Sequence, residues 1–114
     1  MEANNWSIEV HSQFNFNDFM SSLPPLDEIL VYERIRLVLG QRGNELAGTH
    51  WSKALGDGLF EFRISNPGVL VRIFFAFKAG RVILLLGAYD KKRDSSARRQ
   101  QKEIETAKKR LKKL

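Results

Sequence analysis

The sequence of 114 residues contains no cysteine and only two histidines. Without cysteine the chain has no disulfide, no thiolate nucleophile and no cysteine-ligated metal, which fits a reducing compartment. Its longest apolar runs, such as residues 82–86, fall far short of the roughly 20 residues that a membrane-spanning helix needs. The N-terminus lacks the basic stretch followed by an apolar one that marks a signal peptide. We therefore expect a soluble, cytoplasmic protein that does not act at a membrane.

The two histidines and the scattered acids predict no metal site. His11 and His50 lie far apart, and neither has a second ligand at the spacing of a metal site. We interpret both as ordinary strand or loop residues, and His50 is the one to test because it precedes Lys53 closely. The acids of the second half are not paired like metal ligands: Asp57, Glu61, Asp90 and Asp94. We expect no metal and no other cofactor.

Size indicates one domain, and the distribution of charge shows an acidic first half and a basic second half. A chain of 114 residues with 43% hydrophobic residues is long enough for one compact core and too short for two, so we predict a single domain over residues 1–114. The net charge is +6, but residues 1–50 hold 3 basic and 7 acidic residues, whereas residues 51–114 hold 16 and 6. This polarity predicts a polyanion site on the second half, with the acidic half as scaffold or partner surface.

The first half predicts one strand and a helical region. Residues 6–11 alternate apolar and polar side chains, as a half-buried strand does. Three phenylalanines, Phe14, Phe16 and Phe19, lie in a short segment that ends at residues 21–22 and forms a brief helix or an irregular packing element. A longer helix begins after Pro24 and ends at Gly40 or Gly43. Its apolar positions cover more than one narrow stripe, so it is well buried or partly covered by a partner: Leu26, Ile29, Leu30, Ile35, Leu37 and Val38.

The second half predicts an antiparallel meander followed by a basic helix. Residues 44–58 carry glycines among polar residues and are typical of a long connection. Three strands are then predicted over residues 59–65, 69–77 and 81–89. The serines before residue 97 are N-cap candidates for a helix that runs from Ser95 to Leu114. One apolar stripe marks this helix: Ile104, Ala107, Leu111 and Leu114.

Arg63 and Arg72 stand at matched distances from the Asn-Pro-Gly turn at residues 66–68. If the first residue of this turn pairs with Val69, Arg63 lies directly opposite Arg72. A slip of one residue would mix apolar and charged side chains on both faces, so burial specifies this register. The apolar face is then complete: Phe60, Phe62, Ile64, Val71, Ile73 and Phe75.

If Lys78 pairs with Arg81 across the next turn, at Ala79 and Gly80, the arginine face extends to the last strand. This pairing places Gly87 across from Arg72, and two further residues share this face: Tyr89 and Lys91. Like charges directly opposite each other destabilise a sheet, so an acidic group is expected between the arginines. Glu61 supplies part of that charge, and a bound phosphate is the better candidate because arginine offers phosphate a bidentate fork of donors. A merely solvated face is the alternative.

Four stretches resemble a known family: LAGTHWSKALGDGLFEFRI, VRIFFAF, ILLLGAYDKKRD and EIETAKKRL. In this order and spacing they are similar to the HigB-like, phage-associated branch of the RelE/ParE toxin superfamily, over most of residues 46–114. The resemblance implies a small α+β domain with a RelE-like antiparallel β-sheet. N-terminal helices would pack on one face, a basic C-terminal helix would follow the sheet, and the other face would be open as an RNA cleft.

The resemblance also implies an activity, a set of partners and a site. Similar members are toxins of type II toxin–antitoxin pairs, and most are endoribonucleases that cleave ribosome-bound mRNA. The implied partners are mRNA, the ribosome and a cognate helix-turn-helix antitoxin of HigA-like type. Carried over residue by residue, the basic cleft contains Lys53, Arg63, Arg72, Lys91 and Lys92, with Tyr89 on the same strand.

RNA cleavage without a metal needs the neighbouring 2′-OH deprotonated, the pentavalent phosphate stabilised and the 5′-oxygen protonated. We expect Arg63 and Arg72 to bind the scissile phosphate, because electrostatic stabilisation is usually the largest catalytic contribution. One of three lysines crowded by these cations acts as acid or base: Lys53, Lys91 or Lys92. Tyr89 stacks on a base or donates a proton.

The basic C-terminal helix has two interpretations. It is a docked helix with a solvated face, or a wall that contacts RNA phosphates through residues on and just before it: Arg93, Arg98, Arg99 and Lys102. Both can hold together. For the whole protein the alternatives to a nuclease are a non-catalytic module that binds nucleic acid or protein, and a ParE-like toxin that inhibits gyrase.

Overall fold

The computed structural model describes residues 5–114, so the first four residues of the predicted domain lie outside the described residues. Eleven elements follow one another: β1 (Ser7–Val10), α1 (Phe16–Ser21), α2 (Pro25–Arg34), a π-helical turn (Ile35–Leu39), α3 (Gly40–Arg42), a 3-10 turn (Gly43–Leu46), β2 (Ser52–Gly56), β3 (Leu59–Asn66), β4 (Val69–Lys78), β5 (Val82–Asp90) and α4 (Ala97–Leu111). The predicted first strand, short helix, three-stranded meander and C-terminal helix are confirmed. Within residues 5–114, no helix is both long enough and apolar enough to cross a bilayer.

The five strands form one sheet in the order β1-β5-β4-β3-β2. β1 runs parallel to β5, and the other neighbours are antiparallel. The helices and this mostly antiparallel sheet make the α+β fold that the sequence predicts. One consequence is that the short strands β1 and β2 form the two edges of the sheet.

The first face of the sheet packs against the N-terminal helices. Val31, Ile35 and Leu39 are spaced by one helical turn, and all three are at most 5% exposed. They cover the apolar face of the meander, whose residues match the prediction: Phe60, Phe62, Ile64, Val71, Ile73 and Phe75. This alternation is the sequence signal that fixes which face of the sheet carries the arginines.

The long N-terminal helical region ends at Gly43, as predicted. α2 passes without a break through the π-helical turn into α3, and Gly43 then adopts a positive φ of 48°. A β-carbon at this position would lie 2.2 Å from Nε1 of Trp6. The helix end therefore requires glycine both for its backbone conformation and for the approach of the Trp6 ring.

The β3–β4 register agrees with the prediction. Asn66 pairs with Val69, and Arg63 lies directly opposite Arg72. The hairpin loop contains only Pro67 and Gly68. The register follows from the alternation of apolar and charged residues rather than from the turn sequence alone.

The β4–β5 register begins one residue away from the prediction. Lys78 pairs with Val82 instead of Arg81. The physical reason is that Arg81 adopts a positive φ of 59° and belongs to the turn. A non-glycine residue in this conformation is uncommon, so the sequence does not indicate that the turn continues past Gly80 to include Arg81.

A bulge shifts the β4–β5 register further. Leu86 is an extra residue in β5, between the partner of Phe75 and the partner of Phe74. Arg72 consequently pairs with Tyr89, and the predicted pairing with Gly87 is wrong. The two shifts together span two residues, so Tyr89 keeps its predicted place on the arginine face.

Two further expectations are corrected. The predicted connection over residues 44–58 contains a 3-10 turn and β2, because a short strand flanked by glycines carries little pattern. The arginine face is not open, because α4 packs on it through Ile104, Ala107 and Leu111. These three side chains belong to a second apolar cluster with sheet residues: Leu59, Phe74, Ala76, Leu84, Leu86 and Tyr89.

Candidate functional site

Three neighbouring strands bring Arg63, Arg72 and Tyr89 into one row across the sheet. Arg63 on β3 pairs with Arg72 on β4, and Arg72 pairs with Tyr89 on β5. In the adjacent row Lys53 on β2 pairs with Glu61 on β3. Paired residues share a face of the sheet, so these five side chains leave the same surface.

Glu61 provides the negative charge of this face. Its side chain is fully buried, and its Oε1 lies 3.4 Å from Nε of Arg63. Its other oxygen accepts a hydrogen bond of 3.2 Å from the Gln100 side chain on α4. The acidic group expected between the two arginines is therefore present in the protein itself, which lessens the charge left for a bound phosphate.

Arg72 is the buried member of the arginine pair. It is 5% exposed, and one guanidinium nitrogen donates to the carbonyl of Val71 over 3.3 Å. Its Nε has no hydrogen-bond partner among residues 5–114. Burial lowers the pKa of Arg72, and the charge of Arg63 lowers it further, while Glu61 opposes both effects. The guanidinium is a fixed cation beneath α4 with donor capacity left over.

Tyr89 is also enclosed. It is 1% exposed, its ring stacks on Phe74 with the centroids 6.1 Å apart, and the guanidinium of Arg99 lies 5.5 Å from its ring centroid. Its hydroxyl is buried without a partner among the described residues. Burial raises the pKa of Tyr89, and the charge of Glu61 adds to this shift. In this arrangement the ring is not accessible for stacking on an RNA base.

The first turns of α4 close this cluster on its solvent side. Ser96 caps the helix by accepting a hydrogen bond of 3.1 Å from the Arg99 amide, which confirms the predicted serine cap. Arg99 then pairs with Glu103 over 2.8 Å. The Arg63 and Arg99 side chains are 37% and 38% exposed, so both present charge to solvent above the buried part of the cluster.

The three predicted catalytic lysines occupy different surroundings. Lys53 is exposed on edge strand β2, opposite Glu61. Lys91 is half-buried, and its amide donates to the carbonyl of Leu70 over 2.8 Å, which extends the sheet by one bond. The Lys92 amine instead donates to the carbonyl of Gly68.

The Lys92 amine also lies 4.0 Å from the carboxylate of Asp27 on α2. This contact directs it toward the N-terminal helices. Of the predicted set, the structure brings four residues onto one surface, Lys53, Arg63, Arg72 and Tyr89, and it directs the Lys92 amine elsewhere.

The predicted RNA-binding residues lie at the start of α4. Arg93, Arg98 and Lys102 are exposed, and Arg99 is half-buried over Tyr89. Further along the helix, Lys108 pairs with Asp57 over 3.4 Å and Arg110 donates to the carbonyl of Leu86 over 2.8 Å. Part of the positive charge of α4 therefore holds the helix on the sheet, and the rest faces solvent.

Glu61 has the charge-balancing role expected from the sequence, whereas Gln100 is a site residue that the sequence did not indicate. Glu61 lies two positions before Arg63, so strand alternation alone puts both on one face. Gln100 carries no comparable signal, because its contact depends on where α4 lies on the sheet. His50 is exposed, with its ring 4.9 Å from that of Trp51. Residues 5–114 hold no group of three His, Asp or Glu side chains placed to bind a metal.

The cluster can bind an anion, because an exposed arginine lies above buried charged residues. The row with Arg63 and Arg72 carries two positive charges, and the neighbouring row carries the one carboxylate of Glu61. An excess positive charge therefore remains. Low-dielectric surroundings strengthen the field of the buried Arg72, and the exposed Arg63 offers donors to a ligand. The arrangement suits a phosphate diester approaching from the side of α4 and β2.

Comparisons with known proteins agree with this fold. No individually curated protein matches the sequence. The fold is similar to that of a chain in the toxin–antitoxin complex RelBE2 from Mycobacterium tuberculosis, with a TM-score of 0.56 and 16% identity, covering 79% of this chain and 94% of that chain. The sequence itself matches the family described as "Phage derived protein Gp49-like (DUF891)" over residues 18–112. This match spans most of the sheet and helices, and the chain belongs to the Gp49-like family of phage-derived proteins.

Proposed function

We propose that this protein is the toxin of a type II toxin–antitoxin pair and that it cleaves ribosome-bound mRNA as a metal-independent endoribonuclease. The observation that carries the proposal is the row formed by Arg63, Arg72 and Tyr89, in which an exposed arginine lies opposite a buried one. A sheet gains no stability from two facing arginines, and the single carboxylate of Glu61 offsets only one of the two charges, which supports an anionic ligand at the pair.

Membership of the Gp49-like family and the fold similarity to a chain of a toxin–antitoxin complex support this proposal. The stretches quoted from residues 46–114 assign the protein, within the proposal, to the HigB-like branch. Its partners are then mRNA, the ribosome and a HigA-like antitoxin. The protein acts in the cytoplasm, where these partners are found.

In the proposed reaction the 2′-oxygen attacks the adjacent phosphorus, and the bond from phosphorus to the 5′-oxygen breaks. The products are a 2′,3′-cyclic phosphate and a free 5′-hydroxyl. Arg63 binds the non-bridging oxygens, and Arg72 stabilises the added negative charge from beneath. Glu61 holds the Arg63 guanidinium in place through its contact of 3.4 Å. Removing one such donor typically lowers the rate by about 10² to 10³.

The proton transfers are assigned to a lysine beside the arginines. Lys53 is the best placed of the three, because it is exposed and pairs with Glu61 in the row next to Arg63. Lys91 is the second candidate, since the hydrogen bond from its backbone amide to Leu70 continues the pairing of β5 with β4. Lys92 is the least well placed of the three, because its amine contacts the carbonyl of Gly68 and lies near Asp27.

The proposal is tested by expressing the chain alone in bacteria and mapping mRNA ends by primer extension. Wild-type protein is expected to arrest growth and to produce cuts within codons. Arg63→Ala is expected to abolish both effects. Arg42→Ala is the matched control, because it removes one exposed positive charge from the N-terminal helices. Unchanged toxicity and cleavage in Arg63→Ala would overturn the assignment, and intact mRNA with damaged DNA would favour a gyrase inhibitor.

A non-catalytic RNA-binding module is the second candidate, and one observation favours it. Arg72 and Tyr89 are 5% and 1% exposed beneath α4, so bound RNA would meet chiefly Arg63, Arg99 and the exposed residues of the helix. A binding module retains RNA without cutting it. Binding of a labelled single-stranded RNA, followed by electrophoresis of the recovered RNA, separates the two candidates.

A further inference from the structure

α2 carries a second apolar stripe that its own protein does not cover. Leu26, Ile29 and Tyr32 are 80%, 60% and 54% exposed, although the opposite side of the helix is buried in the core. They succeed one another at the helical spacing of three residues, so they form one continuous strip. Large contiguous apolar patches on a soluble protein mark interaction sites more often than chance exposure.

Two adjoining cavities flank this stripe. One, of about 510 Å³, lies between β1 and α2 and is lined by residues that include Ile8, Val10 and Ile35. The other, of about 540 Å³, lies between α1 and α2 and includes Met20 and Ile29. Phe16 and Tyr32 line both, so the two cavities form one groove across α2. Two connected cavities with largely apolar lining suit the side chains of a helix better than one small molecule.

The charge around the groove selects its occupant. Residues 16–34 hold four acids, Asp18, Asp27, Glu28 and Glu33, against a single base, Arg34, in a chain whose net charge is +6. Glu28, Glu33 and Arg36 line the groove itself, and Arg36 is paired with Glu33 over 3.6 Å, so the lining holds one more acid than base. An excess of negative charge is left at the rim, which disfavours RNA and favours a basic partner.

We propose that this groove, defined by Phe16, Ile29 and Tyr32, binds an amphipathic helix of a partner protein whose apolar stripe is flanked by lysine or arginine. Its apolar side chains fill the two cavities, and its basic flanks face Glu28 and Glu33. Such helix-in-groove recognition uses apolar side chains one helical turn apart, and the exposed Leu26, Ile29 and Tyr32 of α2 repeat at that spacing.

Within residues 5–114 the chain offers no free helix of this kind. The strongly basic amphipathic helix in that range is α4, which already places Ile104 and Leu111 against the sheet. The groove also lies on the opposite face of the sheet from Arg63, so its occupancy is independent of whether the chain cleaves RNA. Under the proposed function, the antitoxin is the protein that would carry the docking helix.

Two fluorescein-labelled synthetic helical peptides test the inference by anisotropy titration of the purified chain. They share one leucine stripe and differ only in flanks of lysine or of glutamate. The lysine peptide is expected to bind at least about tenfold more tightly than the glutamate peptide. Ile29→Gln and Tyr32→Gln are each expected to weaken it by about tenfold, because an apolar anchor loses its contact.

Leu37→Gln is the matched control, since Leu37 is 40% exposed but lines neither cavity. All three replacements are at exposed positions, so circular dichroism is expected to show unchanged helix content. Absence of lysine-peptide binding, equal binding of both peptides, or an equal loss in Leu37→Gln would overturn the inference. So would a dimer of the chain alone that Ile29→Gln abolishes in sedimentation velocity, because the occupant would then be a second copy.

Discussion

Arg63 lies directly opposite Arg72 in the β3–β4 ladder, yet the two have different surroundings. The Arg63 side chain is 37% exposed and contacts Glu61, whereas Arg72 is 5% exposed beneath α4. One guanidinium is therefore available to a ligand, and the other supplies a fixed positive charge below it. The site combines a binding group with a preorganised field, which is what stabilisation of an anionic transition state requires.

Replacing Glu61 by glutamine tests the balance of charge in the cluster. Glu61→Gln keeps the shape and leaves Arg63 and Arg72 facing each other without a carboxylate. We expect the free energy of unfolding to fall by about 2–3 kcal/mol in urea titrations, because the buried Arg72 loses the carboxylate that offsets its charge. Glu105→Gln, at an exposed site on α4, is expected to change it by less than about 0.5 kcal/mol. Equal midpoints for both variants would contradict the role of Glu61.

The buried Tyr89 hydroxyl predicts a loss of stability in alkali. Burial raises the pKa of Tyr89 above its ordinary value of 10.0 in the folded protein. Above about pH 10 the unfolded chain therefore releases this proton before the folded chain does, and stability falls as the pH rises. Tyr89→Phe removes this contribution, so its unfolding free energy is expected to fall less between about pH 9 and pH 11. Identical pH profiles would contradict the burial of the hydroxyl.

Gly43 and Gly48 form a matched pair of glycines with positive φ. At Gly43 a β-carbon would overlap the Trp6 ring, whereas at Gly48 nothing lies within 4 Å. Gly43→Ala is expected to cost about 2–4 kcal/mol of stability, from backbone strain and overpacking together. Gly48→Ala carries only the strain, about 1 kcal/mol. Thermal unfolding followed by circular dichroism measures both losses, and equal losses would show that the Trp6 ring does not restrict Gly43.

The surroundings of the lysines predict which one takes part in cleavage. Lys53→Met is expected to lower the cleavage rate by about a hundredfold or more, the usual contribution of a general acid or base. Lys92→Met is expected to leave the rate unchanged, because the Lys92 amine contacts Gly68 and Asp27. Cleavage rates of the purified variants on the same transcript decide between them. A large loss in Lys92→Met with none in Lys53→Met would reverse the assignment.

The sequence predicted the parts of the fold that local pattern controls. The β3–β4 register followed from the alternation around Arg63 and Arg72, since only one pairing keeps both faces unmixed. The β4–β5 register did not follow. Residues 82–86 are apolar on both faces, so burial does not distinguish registers there, and the left-handed Arg81 and the bulge at Leu86 leave no pattern.

The candidate site could be predicted only in part, for a related reason. Strand alternation alone predicts that Glu61, Arg63 and Tyr89 share one face of the sheet. The burial of Arg72 and the contact from Gln100 depend on α4 lying over that face. The apolar stripe of α4 indicates that the helix docks. It does not indicate where, because periodicity within one segment carries no information about which distant segment it packs against.

The central claim is tested most directly by single-turnover cleavage of mRNA on purified ribosomes programmed with one transcript. The wild-type chain is expected to cut the mRNA within codons, and Arg63→Ala is expected to cut it about 10² to 10³ times more slowly. The control Arg42→Ala is expected to retain the wild-type rate. Intact mRNA with the wild-type protein, or an Arg63→Ala rate equal to that of wild type, would contradict a nuclease site built on the Arg63–Arg72 pair.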